Sequence, residues 1–193
     1  MEKMKIDPKD IDKVVISHSH RDHSGGLNGF LERNKNVKVY IPSSFSDSRR
    51  EEIKSYGADY IDVSGSIQIS DNFYSTGEMG TWPIEQSLIL NTVKGLIIFT
   101  GCAHPGIIEI FKKSREILEG KRIYLVMGGW HLRSASDTEL KEIIKQFRSL
   151  GVKKVSPSHC SEGRCRLLFQ EEYKGDYIEN GVGRIIMLDD LRD

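Results

Sequence analysis

Residues 17–24 read SHSHRDHS, and they hold three of the six histidines in this chain of 193 residues. The apolar run VVI (14–16) precedes them and a pair of glycines (25–26) follows. Packed without a shared partner, these side chains would repel one another on protonation, and burying them would cost solvation free energy. A divalent cation removes both penalties, because neutral imidazole and carboxylate are its natural ligands. The stretch therefore predicts a metal site.

The spacing within the stretch predicts two ion positions. His18 and His20 are two residues apart, so in an extended chain they point the same way and can hold one ion. Asp22 and His23 come where the chain turns into the next predicted helix, and they can reach a second ion. Neither position is complete with these residues alone, and His104 and His159 are the expected additional ligands.

Apolar runs and helical periodicities alternate along the chain, which predicts a single α/β domain over residues 1–193. Strands are expected at 13–17, 37–41, 59–63, 66–70, 72–76, 87–92, 96–100, 122–127, 153–158 and 184–188. Helices are expected at 25–34, 44–56, 106–120, 136–151 and 162–173, with a short helical turn at 7–12.

Every histidine falls just past the carboxyl end of a predicted strand. The motif histidines follow the first strand, and His104, His131 and His159 each follow a later one. Loops at the carboxyl ends of strands in α/β sheets converge on one rim, where ligand sites form. We therefore expect all six histidines to lie close together.

Composition excludes several classes of function. Lysine plus arginine equals aspartate plus glutamate at 28 each, so the chain has no charge excess for nucleic acid or a membrane surface. The start of the chain lacks the hydrophobic core of a signal peptide, and no apolar run is long enough to span a bilayer. Three cysteines are too few for a disulfide framework, so a reducing cytoplasm is the expected location.

The pattern His18-x-His20-x-Asp22-His23, followed by SGGL (24–27), resembles the signature of the metallo-β-lactamase-fold superfamily. GCAHPGI (101–107), GGWHL (128–132) and SHC (158–160) resemble segments of one branch of it. That branch contains dihydropterin ribofuranosyl-aminobenzene phosphate synthase-like metal-dependent hydrolases. The resemblance covers residues 5 to 188 and implies an αββα sandwich with a dinuclear site at the edge between its two sheets.

The resemblance also implies ligands and a reaction. His18 and His20 match ligands of a first metal, Asp22 and His23 match ligands of a second, and His104 and His159 match further ligands. The expected ions are two divalent cations, zinc first, with iron or manganese as alternatives. The expected activity is hydrolysis of a small ester or phosphoester by a hydroxide that bridges the metals. The alternatives are a pterin-linked synthase of methanopterin biosynthesis and a non-catalytic, truncated metal-binding remnant.

Individual residues receive more specific roles. Asp22 is expected to orient the nucleophile, and His131 to act as a proton donor, a ligand or a substrate contact. Arg164 and Arg166, near the start of a predicted helix, could bind a phosphate group of the substrate.

The sequence departs from the wider superfamily in three places. Cys102 stands where most members carry an aspartate that bridges the metals, and it is either a thiolate ligand or a small buried residue. The usual third histidine is missing, and Glu85 is the nearest carboxylate to its place. Only twelve residues precede the first motif strand, so the N-terminal strands of the fold are expected to be lacking. Either the chain is a fragment or a naturally shortened variant, or another copy of it covers the strand edge in a homo-oligomer.

Overall fold

The structure, a computed structural model, describes residues 1–189, apart from the side chain of Glu2. The last four residues of the predicted domain lie outside this range. The strands are β1 (Lys13–Val15), β2 (Lys38–Pro42), β3 (Asp59–Val63), β4 (Ile67–Ser70), β5 (Phe73–Ser75), β6 (Leu88–Thr92), β7 (Gly95–Thr100), β8 (Ile123–Gly128) and β9 (Lys154–Pro157). The helices are α1 (Arg21–Ser24), α2 (Leu27–Leu31), α3 (Asp47–Ser55), α4 (Ile107–Ile117), α5 (Asp137–Ser149) and α6 (Arg164–Tyr173).

The strands form two sheets. The first sheet is parallel, with the order β1-β2-β3. The second sheet has the order β4-β5-β6-β7-β8-β9; its first four strands pair antiparallel, and β7, β8 and β9 pair parallel. Within residues 1–189, β1 has a strand neighbour on one side only.

Buried side chains show how the layers stack. Val39 and Ile41 of β2 pack with Leu27 and Ile53, so α2 and α3 cover one face of the first sheet. Tyr40, between these two residues of β2, faces the second sheet, where it packs against residues of β4, β5 and β6. Buried residues of β7 to β9 contact α4, α5 and α6 on the far side. The expected αββα order is therefore confirmed.

Residues at the two ends of α5 account for where this helix begins and ends. Ser136 accepts the backbone N–H of Glu139, and the Glu139 carboxylate accepts the N–H of Ser136, which is the capping box expected from the sequence. Gly151 follows the helix with a φ of 72°, a conformation that glycine adopts without strain.

Two predicted elements differ in the structure. The helix expected at 25–34 is shorter in the structure, where α2 begins only at Leu27, and the separate short helix α1 precedes it; the glycines at 25 and 26, which weaken a helix, lie between the two. The strand expected at 184–188 is wrong, since residues 184–187 pair with no strand and Ile185 stays 78% exposed. An apolar run gives only a propensity, and a strand also needs an edge with which to pair.

Gln86 joins the two sheets just before β6. Its side chain is buried, and Nε2 donates to the carbonyl of Ile16, which follows β1, at 2.9 Å. Its Oε1 accepts the hydroxyl of Ser75 in β5 at 2.6 Å. The Gln86 backbone N–H also donates to the carbonyl of Ser17. These bonds fix the start of the histidine motif against the second sheet.

Replacing Gln86 by leucine should therefore lower the free energy of unfolding by about 1–3 kcal/mol, because buried polar partners are left without hydrogen bonds. Urea denaturation measures the change. Gln68→Leu, at an exposed position of β4, is the matched control. A Gln86→Leu effect no larger than that of the control would contradict this role.

Candidate metal centre

The loops that follow β1, β7, β8 and β9 carry all six histidines. His18 and His20 follow β1, and Asp22 and His23 lie in α1. His104, His131 and His159 follow β7, β8 and β9, which are neighbours in the second sheet. Since these three strands are parallel, their carboxyl ends meet at one edge, as the sequence predicts.

One group of three possible ligands consists of His18, His20 and His104. One ring nitrogen from each lies within 4.8 Å of the others. The His18 ring centroid is 4.7 Å from those of both His20 and His104, and the latter two are 5.0 Å apart. Three imidazoles at this separation can face one ion.

A second group consists of Asp22, His23 and His159. The Nε2 atoms of His23 and His159 are 3.0 Å apart, and Asp22 Oδ2 lies 3.4 Å from the first and 3.3 Å from the second. Ligand atoms about 2.0–2.2 Å from a tetrahedral zinc ion are themselves about 3.3–3.6 Å apart. The observed separations are close to that range, so this group fits a metal ion.

The surroundings of His18 further test whether the cluster fits a metal ion. Its side chain is fully buried, and Nε2 has no hydrogen-bond partner, while Nδ1 lies 3.0 Å from Ser17 Oγ. Burial, opposed by the Glu85 carboxylate and helped by the nearby imidazole of His23, lowers the pKa of His18 to about 4. The neutral ring therefore presents an unpaired nitrogen to the cluster, and a cation would satisfy it.

Glu85 holds the loop at 101–104 in place. Its Oε1 accepts the backbone N–H groups of Gly101, Cys102 and Ala103 at 2.9–3.1 Å. Its Oε2 accepts the backbone N–H of His104 at 3.0 Å and faces His104 Nδ1 at 2.8 Å. Desolvation acts to raise the pKa of this buried carboxyl, but the hydrogen bonds outweigh it and leave the pKa below its usual value.

The hydrogen bonds of Glu85 bear on whether its carboxylate could take the place of the missing histidine as a metal ligand. Both of its oxygens already accept hydrogen bonds from the loop, and it belongs to none of the ligand groups among the described residues. With Nδ1 of His104 donating to Glu85, Nε2 of that ring is left as the free ligand atom. Glu85 therefore fixes the orientation of the His104 ring.

Two thiols lie in the same cluster. Cys102 and Cys160 form a ligand group with His159, and Cys160 Sγ accepts the backbone N–H of His131 at 3.2 Å. The hydrogen bond from Cys102, with help from His131, lowers the pKa of Cys160 to about 5. The same hydrogen bond and burial raise the pKa of Cys102.

The backbone of these loops is constrained. Ala103, His131 and His159 have φ values of 58°, 54° and 52°, which non-glycine residues adopt at a cost. A Cβ on Gly129 would lie 2.4 Å from the carbonyl oxygen of Gly101 and 2.7 Å from Cys160 Sγ. The absence of a side chain at 129 therefore leaves room for the thiol.

The remaining predicted site residues are placed as follows. His131 is exposed, and its ring centroid lies 4.8 Å from that of His104. Arg164 begins α6 and pairs with the Asp137 carboxylate through three contacts of 2.7–3.1 Å. Arg166 donates to the hydroxyl of Tyr177 at 3.3 Å. Both guanidinium groups thus have partners within the chain, and their role toward a substrate stays a prediction.

The chain belongs to the metallo-beta-lactamase superfamily, whose family model matches residues 1–108. Proteins of this superfamily generally bind divalent metals, usually zinc, and are generally metal-dependent hydrolases. The superfamily resemblance drawn from the histidine motif is confirmed.

Two relatives match nearly the whole chain. The 7,8-dihydropterin-6-methyl-4-(beta-D-ribofuranosyl)-aminobenzene-5'-phosphate synthase of Methanocaldococcus jannaschii is 29% identical, over 96% of this chain and 78% of its own length. The crystal structure of Tm1679, a metal-dependent hydrolase of the beta-lactamase superfamily, is 30% identical with a TM-score of 0.76. That match covers 93% of this chain and 79% of Tm1679.

A more distant structure supports the fold alone. An isothiocyanate hydrolase from Delia radicum gut bacteria has a TM-score of 0.61 at 14% identity, over 93% of this chain and 78% of its own. No helix among residues 1–189 is long and apolar enough to cross a membrane.

Sequence reasoning did not predict the roles of Glu85 and Cys160. A carboxylate held by four backbone N–H groups leaves no spacing pattern, because its partners are main-chain atoms some 16 to 19 residues away. The sequence offers one weak indication of a site role for Cys160, which is that it directly follows His159, a predicted metal ligand.

Replacing Glu85 by glutamine should weaken zinc binding about 10- to 100-fold, as loss of a partner that orients a ligand typically does. The new amide would turn a donor toward the N–H groups of His104. Competition with a chelator measures the affinity. Glu78→Gln is the matched control, because that carboxylate accepts the N–H of Ser44 and belongs to none of the described ligand groups. Equal affinities for the two variants would contradict the orienting role.

Proposed function

We propose that the protein is a dinuclear metal-dependent hydrolase acting on an ester or phosphoester. The observation that carries the proposal is the pair of adjoining ligand groups, which share no residue. One consists of His18, His20 and His104, and the other of Asp22, His23 and His159. Two divalent ions, zinc first and iron or manganese as alternatives, are the expected cofactors.

The bound ions would supply an acidified water and Lewis-acid stabilisation of a carbonyl or phosphoryl oxygen. The chain's own residues supply orientation. Asp22 is exposed at 58% of its side chain and turns Oδ2 toward the imidazoles of His23 and His159. Its other oxygen remains able to accept a hydrogen bond from an attacking water.

His131 is the proposed proton donor to the leaving group. Its ring is exposed beside His104, and its backbone is fixed by the bond to Cys160 Sγ. An imidazole that can exchange protons with solvent is suited to general acid catalysis near neutral pH. His104 is not suited to it, because Glu85 already engages its Nδ1.

The substrate is proposed to be a small molecule, and Arg164 and Arg166 are the proposed contacts for a phosphate group. A phosphate would have to compete with Asp137 for Arg164. Three free cysteines suit a reducing compartment such as the cytoplasm. Contact between two copies along β1 remains a proposed way to cover that strand edge.

A second candidate function comes from the synthase of Methanocaldococcus jannaschii, which is 29% identical over 96% of this chain. On this alternative the same metal centre would serve a pterin-linked condensation. Incubation with a 6-substituted dihydropterin and a ribofuranosyl-aminobenzene phosphate, followed by mass spectrometry, distinguishes it from hydrolysis. A joined product without hydrolysis of esters would favour the synthase.

Zinc-loaded protein should hydrolyse activated carboxylic esters or phosphodiesters, and a chelator should abolish the activity. Asp22→Asn should lower the rate at least about tenfold, since even partners that act indirectly on a metal have effects of that size. Asp71→Asn, in the turn between β4 and β5, is the control and should keep the wild-type rate. A chelator-insensitive rate, or equal rates for both variants, would contradict the proposal. A chain that binds two ions but neither hydrolyses these substrates nor forms the joined product would be the non-catalytic remnant.

A further inference from the structure

Cys102 lies between the two groups of metal ligands. Its Sγ belongs to a group with His18 and His23, and also to a group with His104 and His131. In each group the ligand atoms all lie within 4.8 Å of one another. The sulfur is 3.2 Å from His23 Nε2, and the residue is 4% exposed. Among the described groups, Cys102 thus belongs to neither proposed set of three, yet its sulfur shares groups with residues of both sets.

An independent observation points to a ligand at the same place. The Nε2 atom of His18 is fully buried without a hydrogen-bond partner, and His18 shares a ligand group with the Cys102 sulfur. A buried nitrogen with a free lone pair is costly unless something binds it. A cation held by both atoms would remove that cost.

Cys165 shows what a purely structural cysteine looks like in this chain. It is 1% exposed and packs in the apolar cluster formed by β7 to β9 and the helices α4 to α6. It belongs to none of the described ligand groups. Cys102 is equally small and buried, but its sulfur faces imidazoles.

We propose that Cys102 binds the metal ions as a thiolate shared between the two positions, so that the centre prefers borderline-soft ions such as zinc or ferrous iron to manganese. This inference rests on the proposed dinuclear function. On binding, the sulfur donates a lone pair to the ions and its proton passes to solvent, with no change of oxidation state. Thiolate ligands favour softer divalent ions, whereas manganese prefers oxygen ligands.

Cobalt(II) tests the proposal, because a thiolate bound to cobalt produces a charge-transfer absorption in the near ultraviolet that imidazole and carboxylate do not. The full-length protein, freed of metal, is titrated with cobalt(II) while the number of bound ions is measured. We expect the band in the wild type and in Cys165→Ser. The Cys160→Ser/Cys165→Ser double variant, in which Cys102 is the only thiol, should retain it.

Cys102→Asp should bind cobalt and lose the band, and its affinity for manganese relative to zinc should rise. The double variant keeps the test decisive even if Cys102→Asp does not fold. Two cobalt ions bound to the wild type without the band would overturn the inference and leave the proposed function standing. A band lost in the double variant would assign the thiolate to Cys160 and also overturn it. Fewer than two ions bound to the wild type would contradict the proposed function itself.

Discussion

The carboxylate of Glu85 is the constraint on which the centre depends. A buried carboxylate is costly unless its oxygens are fully hydrogen-bonded, and here four backbone N–H groups and one imidazole nitrogen face it. Those five groups belong to four consecutive residues, 101–104. The carboxylate therefore determines the path of the loop after β7, and with it the positions of the Cys102 sulfur and the His104 ring.

The neighbouring residue, Gln86, connects the two sheets through hydrogen bonds. Its side chain and backbone hold the end of β1 against the second sheet, so the histidine motif starts from a fixed point. Glu85 and Gln86 lie just before β6, and together they relate the loop after β1 to the loop after β7. The two ligand groups meet because one dipeptide contacts both loops. Because β8 and β9 run parallel to β7, His131 and His159 follow at the same edge, both in the left-handed conformation.

Much of this arrangement could be predicted from the sequence. Strand-terminal placement of the histidines follows from parallel strands whose loops converge. The alternation of elements predicts an α/β domain, and the αββα order is what the family resemblance of the motif at residues 18–23 implies. The interpretation of Glu85 could not be settled, because its partners are main-chain groups that carry no residue identity. The error at residues 184–188 has a related cause, because the apolar run is present there but no neighbouring strand edge pairs with it. Glycines at 25 and 26 gave a visible signal, and their effect on the predicted helix was underestimated.

The central claim is that this chain assembles two adjoining ion positions from loops fixed by Glu85. Elemental analysis of the purified full-length protein, loaded with zinc and then freed of excess metal by gel filtration, tests it most directly. The account predicts close to two zinc ions per chain. One ion or none in a folded, soluble protein would contradict it.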